Sequence, residues 1–199
     1  MRGVAFDYGR FFSLGEAFTP NAVRVRSVAV IPDPFALTRA EASPEEPIRF
    51  VHDEGRYFND LVGTTYAVID LLSDQAIRVL REGAFTGWTT YPVEIRDARG
   101  DLITGYRGLA VTGRCGAIQD SLSPIEVLPP PVPTGKALPH RIGLLFDPET
   151  WDRSDVFTPN GTGFVVVAQA VRDAIVAAKL TNLDLRPLTE IHRLVLDDA

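Results

Sequence analysis

One cysteine, three histidines and twenty-six carboxylates are the side chains that could carry chemistry in this sequence. Cys115 stands in Thr112-Gly-Arg-Cys-Gly116, where the glycines would expose a thiol and Arg114 would favour its thiolate. A thiol enzyme also needs a histidine brought near it. Only His52, His140 and His192 are on offer, and no cysteine-enzyme signature surrounds Cys115. A lone cysteine beside a strand end is more often a small buried hydrophobe. No two histidines stand at the short spacing of a metal-binding pair, so no metal site is expected. Asp147, Glu149, Asp152 and Asp155 crowd one loop, but the alternating acids, central glycine and closing glutamate of a calcium loop are not met. That loop reads as a solvated acidic segment. Gly135-Lys136 follows Pro133-Thr134 instead of a strand, and Gly161-Thr-Gly163 precedes a strand instead of opening a helix, so neither cradles a phosphate or a dinucleotide. No cofactor is expected. Two carboxylates that meet in space could still act as general acid and base, and nothing in the sequence picks such a pair out.

The elements that must position these groups belong to a chain of 199 residues with a formal net charge of −6. That length suits one domain, able to bury a core without disulfide or structural zinc. The acidic balance argues against a nucleic-acid binder, which usually shows a basic stripe, and leaves a basic protein partner open. Eighteen of the twenty basic residues are arginine. Asp7 and Arg10 interrupt the N-terminal apolar residues, so no signal peptide is read, and no window approaches the ~18 apolar residues of a membrane span. The expectation is a cytoplasmic protein that meets neither membrane nor nucleic acid.

Residues 1–60 are loosely patterned, with one strand around Val23–Ile31 closed by Pro32 and Pro34, and an exposed acidic stretch over 40–47. Thr65–Ile69 reads as a strand. Ser73 reads as an N-cap for a helix over about 73–82, with Ala76, Ile77, Val79 and Leu80 on one face and Gly83 as its stop. Trp88–Arg96, the turn at Ala98–Asp101 and Leu102–Thr112 read as a hairpin. Residues 121–140 hold six of the fifteen prolines and read as a stiff extended connector. Arg141–Phe146 and Phe164–Ala168 read as short buried strands, with a helix over 169–179 after the second. Two strand–helix–strand blocks echo one another: Thr86 precedes Pro92, and Thr181 precedes Pro187, by the same six residues. This is a weak internal repeat, since such blocks also look alike by common geometry. The fold class expected is α+β, a single domain over 1–199. It has a mixed or antiparallel sheet, at least two helices, a less regular portion over 1–60 and the motif-bearing core over 61–199.

Aromatic and glycine landmarks then stand out in order: Phe85-Thr-Gly-Trp88 with Tyr91-Pro92, Tyr106-Arg-Gly108 through Gly113-Arg-Cys-Gly116, Trp151-Asp-Arg-Ser-Asp-Val-Phe157, and Leu180-Thr-Asn182. This ordered set resembles a bacterial immunity-protein family that accompanies polymorphic toxins, immunity family eleven, formerly a domain of unknown function. It covers about two thirds of the chain, from roughly residue 60 onward. Two departures show: Arg153 stands where the family usually has glycine, and Val156 where it has a second aromatic. The resemblance implies a protein that binds and neutralises a toxin delivered by contact or by type VI-like secretion, often a nuclease. It implies no catalytic residues. It makes Trp88, Tyr91, Gly113, Gly116 and Phe157 scaffold positions. An acidic inhibitor gains encounter rate with a basic toxin cleft, so Asp53, Glu54, Asp147, Glu149, Trp151, Asp152 and Asp155 are the expected contacts. The alternative is a small enzyme using Cys115 or an unrecognised carboxylate pair. A strand at a sheet edge could also pair two copies into a homodimer.

Overall fold

A computed structural model describes residues 6–195 except 131 and 133. In chain order the elements are β1 (Phe11–Glu16), β2 (Arg24–Ser27), α1 (Pro34–Thr38), β3 (Ile48–Glu54), β4 (Leu61–Thr64), β5 (Asp70–Ser73), α2 (Asp74–Glu82), β6 (Trp88–Arg96), β7 (Leu102–Ile103), β8 (Tyr106–Val111), β9 (Gly113–Cys115), β10 (Ile125–Leu128), β11 (Leu138–Ile142), β12 (Val156–Pro159), β13 (Val165–Ala168), α3 (Gln169–Ala177), β14 (Leu183–Pro187) and β15 (His192–Leu194). The class is α+β with mixed sheets.

Strands β3-β2-β4-β5-β8-β6 form a sheet that closes on itself through a parallel β3–β6 pairing, so six strands make a barrel, with β7 added at β6. A second sheet runs β14-β1-β13-β12-β9, and a third, smaller one runs β10-β11-β15. At α2 the Ser73 hydroxyl accepts from Ala76 N at 3.1 Å, Asp74 lies in the first turn, and Gly83 ends the helix.

The echo seen in the sequence is a repeat of register. In the barrel, β8 lies between β5 and β6, with Leu71 opposite Gly108 and Tyr91 opposite Gly108. In the second sheet β1 lies between β13 and β14, with Val166 opposite Ser13 and Arg186 opposite Ser13. Corresponding residues stand 95 positions apart: 71 and 166, 91 and 186, 108 and 13. The molecule is thus built on two units in matching register, 60–96 and 155–191, that exchange a strand, because β1 completes the second unit and β8 the first.

The exchange is fastened twice. Asp155, just before β12, accepts from Thr86 N at 2.8 Å and from the Thr86 hydroxyl at 2.9 Å. Asp60, just before β4, accepts from Thr181 N and from the Thr181 hydroxyl, each at 2.9 Å. The backbone repeats the pattern: Val156 N donates to Thr86 O, and Leu61 N to Thr181 O. Each clasp joins one unit to the other, so the two units are related by an approximate two-fold.

Between the units lies a shared core whose members also pair at this spacing: Leu14 with Leu109, Leu61 with Val156, Leu72 with Val167, Ala76 with Val171, and Leu80 with Ile175. Neighbouring strand residues point the other way, as the two-residue period of a strand requires. Leu71 and Val62 enter the barrel core, while Val166 and Phe157 enter a third core with Phe11, Leu144 and Phe146.

Four segments differ from the reading of the sequence; one is Arg141–Phe146, where only Arg141 and Ile142 are strand, as the end of β11. Thr65–Ile69 is the turn between β4 and β5, not a strand. The Thr64 hydroxyl accepts from Tyr66 N at 3.0 Å and Ile69 N donates to Tyr66 O, which reverses the chain. Residues 121–140 are not a bare connector, since β10 and the start of β11 pair antiparallel with Val127 opposite Pro139. Pro139 lacks a donor, but its carbonyl still accepts from Val195 N at 2.9 Å. Pro131 and Pro133 lie outside the described residues. The N-terminal 60 residues supply β1, β2, β3 and α1, with Asp33 capping Ala36 N at 2.9 Å. Helices over 74–82 and 169–177 stand where the apolar stripes placed them.

Candidate binding pocket

The end of β1 crosses from the second unit onto the barrel, and there Glu16 meets β2, β4 and β5. Gly63 of β4 makes room for it, because a Cβ at that position would overlap the Glu16 carboxylate. The Glu16 side chain is 8% exposed, and its Oε1 has no hydrogen-bond partner. Arg24 of β2 lies beside it, with Nε 3.2 Å from Glu16 Oε2 but not aligned to donate. The same guanidinium donates to Thr64 O at 2.9 Å, approaches Glu54 at 3.8 Å and stacks on the Phe18 ring at 5.5 Å.

Asp70 of β5 pairs with Gly63 across the ladder and faces the same space. Burial and the neighbouring Glu16 carboxylate push its pKa up to about 7, against the opposing pull of Arg24. Burial and then Asp70 raise the Tyr91 phenol as well, and the Tyr91 hydroxyl has no partner. Among the described residues, four buried side-chain polar atoms go unpaired, and three of them belong to Glu16, Arg24 and Tyr91. Buried polar groups are normally satisfied, so this concentration marks a site that is polar for a reason other than folding. The cavity here has a volume of about 420 Å³, within the range of ligand sites. Ser13, Thr64 and Tyr66 add hydroxyls to its wall, and Phe18 and Phe164 add aromatic rings.

The residues singled out from the sequence fall elsewhere and in two separate places. Asp53 and Glu54 end β3 as exposed residues, each 3.8 Å from an arginine, Arg26 and Arg24. The 147–155 loop is wired to its own scaffold. Asp147 accepts from Glu149 N at 3.0 Å, and Glu149 itself is exposed. Asp152 accepts from Arg114 N at 2.7 Å and from Ser154 N at 2.9 Å. Desolvation opposes ionisation of Asp152, but the Ser154 and Arg114 hydrogen bonds outweigh it and hold its pKa below the usual carboxylate range. Asp155 forms the clasp with Thr86. Trp151 is half-buried against Phe11 at 5.1 Å and Phe157 at 5.6 Å, and its indole N–H donates to Ser154 O. No hydrogen bond or ion pair among the described residues joins Asp53 or Glu54 to this loop.

The landmark residues do come together. A Cβ at Gly87 or at Gly113 would strike the Val156 carbonyl and Ser154, and one at Gly116 would press on Thr150. Trp88 donates its indole N–H to Phe85 O at 2.8 Å, while Tyr91 and Phe157 are buried. Arg153 has a φ of 71°, a conformation that glycine adopts without strain. Cys115 is buried, and burial followed by the Asp152 charge pushes its thiol up to about 12, which suppresses the thiolate. His52 and His140 bond to backbone carbonyls of Gly55 and Leu138, and His192 packs on His140.

Glu16, Arg24, Gly63 and Asp70 were not singled out in the sequence. The readable signal was Asp70 itself, a carboxylate inside the apolar run Val68-Ile-Asp-Leu-Leu72, since Asp is seldom buried without a partner. No protein-family model matches the chain, and no curated protein matches it in sequence.

Proposed function

We propose that the protein is a cytoplasmic immunity protein that neutralises a contact-delivered or type VI-delivered toxin, nuclease-like in character, by binding it stoichiometrically. The observation that carries this reading is the convergence of the landmark segments. Phe85–Trp88, Gly113–Gly116 and Thr150–Phe157 lie far apart in sequence, yet they lock around one loop through Gly87, Gly113, Gly116 and the Asp155–Thr86 clasp. Residues with that role form a scaffold, as the resemblance implies, and leave the outer surface free to suit a particular toxin. Arg153 supports the same reading, because its positive φ falls where the family usually has glycine. The net charge of −6 suits a basic target and speeds encounter with it. No helix among the described residues is long and apolar enough to cross a membrane. Co-expression with the toxin encoded beside the gene tests the proposal. Survival of the cells and a one-to-one complex on gel filtration are expected, and absence of both would overturn it.

A second reading, a small enzyme, draws on the Glu16–Asp70 pair, two carboxylates at one cavity of the kind a general acid and base require. The buried Cys115 thiol gives that reading no support. On the enzyme reading Glu16→Gln abolishes turnover; on the immunity reading it leaves a complex through the rest of the surface.

A further inference from the structure

Two carboxylates occupy positions where the other unit of this molecule has valine. Glu16 corresponds to Val111 and Asp70 to Val165, each 95 residues away and in the same ladder register. Glu16 faces Leu183 as Val111 faces Trp88. The fold is therefore satisfied by valine at both positions, and the acids answer to something else. Arg24 differs from its counterpart in its partners instead. Its counterpart by pairing is Arg114, opposite Thr158 where Arg24 lies opposite Gly63. Each has a carboxylate at 3.8 Å, Glu41 or Glu54, but Arg114 donates to three backbone carbonyls, of Val111, Gly113 and Arg39, whereas Arg24 donates to one, Thr64 O, and lies beside Glu16.

We propose that the pocket between β1, β2, β4 and β5 binds an organic cation, a guanidinium or alkylammonium group, on the Glu16 and Asp70 carboxylates. Glu16 lines the cavity and its buried Oε1 has no donor, so an N–H of such a cation supplies one. Two acids, Glu16 and Asp70, stand against one base, Arg24, so with both acids ionised the charge balance favours a cation over an anion. Phe18, Tyr66 and Phe164 line the cavity and offer ring faces to the ligand's carbon atoms or charge. A metal ion fits poorly, because the described residues contain no group of three or more His, Cys, Asp or Glu that could hold one, and a guanidinium stands beside these two acids. The cation can come from a free small molecule or from an arginine or lysine side chain of a bound protein.

The test is an amide NMR titration of the full chain with methylguanidinium and with n-butylammonium, using uncharged N-methylurea as control. At least one cation is expected to shift the Gly15, Gly63 and Gly163 amides saturably, N-methylurea to leave them in place, and Glu16→Gln to weaken binding about tenfold or more. Glu16→Val installs the residue of the other unit; it keeps the fold and abolishes binding. The proposal is overturned by any of three results. One is no saturable shift up to about 50 mM with either cation, a generous limit for a ligand of a few heavy atoms. The others are equal binding of N-methylurea, or unchanged binding by both Glu16 variants. A capped Gly-Arg-Gly peptide separates the sources: binding at least as tight as methylguanidinium assigns the site to a protein side chain, and peptide failure with methylguanidinium success assigns it to a free cation. The site does not rest on the immunity reading, since small cations report on it without any toxin. Failure of the titration and failure of the co-expression are thus separate results.

Discussion

The unit built around β4, β5 and α2 and the unit built around β12, β13 and α3 share their ladder register to the residue and few of their side chains. Between residues 60–96 and 155–191 only three positions are identical: Asp60 and Asp155, Thr86 and Thr181, Pro92 and Pro187. The first two pairs are the clasps. The central core changes residue at nearly every position but stays apolar, as a core tolerates when volume and pattern are kept. The difference separates three kinds of constraint. Hydrogen-bonding geometry fixes residue identity, packing fixes only apolar character, and Glu16 and Asp70 obey neither because their counterparts are Val111 and Val165.

The comparison is broken most strongly at the shared core. Leu80 and Ile175 are equivalent and buried, one from each helix. Each replacement by alanine is expected to cost about 2–5 kcal/mol, and the two costs should be alike. Because β1 and β8 are exchanged, either variant should still unfold in one transition. Urea unfolding followed by two probes, Trp88 and Trp151 fluorescence and far-ultraviolet dichroism, checks this. Separate transitions for the two units would show that the exchange does not couple them.

The pocket comes next, with the opposite sign. Replacing Asp70 by valine, its counterpart in the second unit, removes a buried carboxylate while leaving Glu16 beside Arg24, and should raise stability at pH 8 by about 1–4 kcal/mol. A related effect follows pH. Asp70 holds its proton in the folded protein up to about pH 7, against an ordinary carboxyl value of 3.8. Between those values the folded state binds more protons than the unfolded chain, so this group makes stability fall as pH rises, with no further fall above about 7. The loss is on the order of 2–4 kcal/mol across that window, and Asp70→Asn should flatten it. Urea midpoints at pH 5 and pH 8 for both proteins measure the slope directly.

How much of this was readable in the chain follows the same three constraints. Helices α2 and α3 were legible because Ala76, Ile77 and Leu80, or Val171 and Ile175, recur at helical spacing, with Ser73 and Gly83 marking the ends of α2 as well. The repeat showed only through Thr86 with Pro92 and Thr181 with Pro187, because apolar exchange had erased the rest. The barrel was not legible, since its closure depends on parallel pairing of β3 with β6, two strands far apart in sequence. The pocket was not legible for a related reason: Glu16, Arg24 and Asp70 come from three strands that no local pattern joins. The acids that did stand out, Asp152 and Asp155, stood out through loop motifs, and those motifs tie the loop to Arg114 and Thr86.

The clasps give the smallest and sharpest difference. Asp155 and Asp60 each accept a threonine N–H and hydroxyl from the other unit, so removing either by alanine should cost about 1–2 kcal/mol. The two are not equal, however. Asp60 Oδ1 also accepts from the Ser73 hydroxyl at 2.6 Å, and the counterpart of Ser73 is Ala168, which offers no donor. Ser73 in turn caps α2 by accepting from Ala76 N, whereas α3 has no side-chain cap. Asp60→Ala should therefore cost more than Asp155→Ala, by about 0.5–1 kcal/mol, because it frees the cap as well as the clasp. In a Ser73→Ala background that excess should vanish, leaving two clasps of equal strength. An excess that survives the Ser73→Ala change would place the asymmetry in the threonine contacts themselves, and the two clasps would no longer be equivalent.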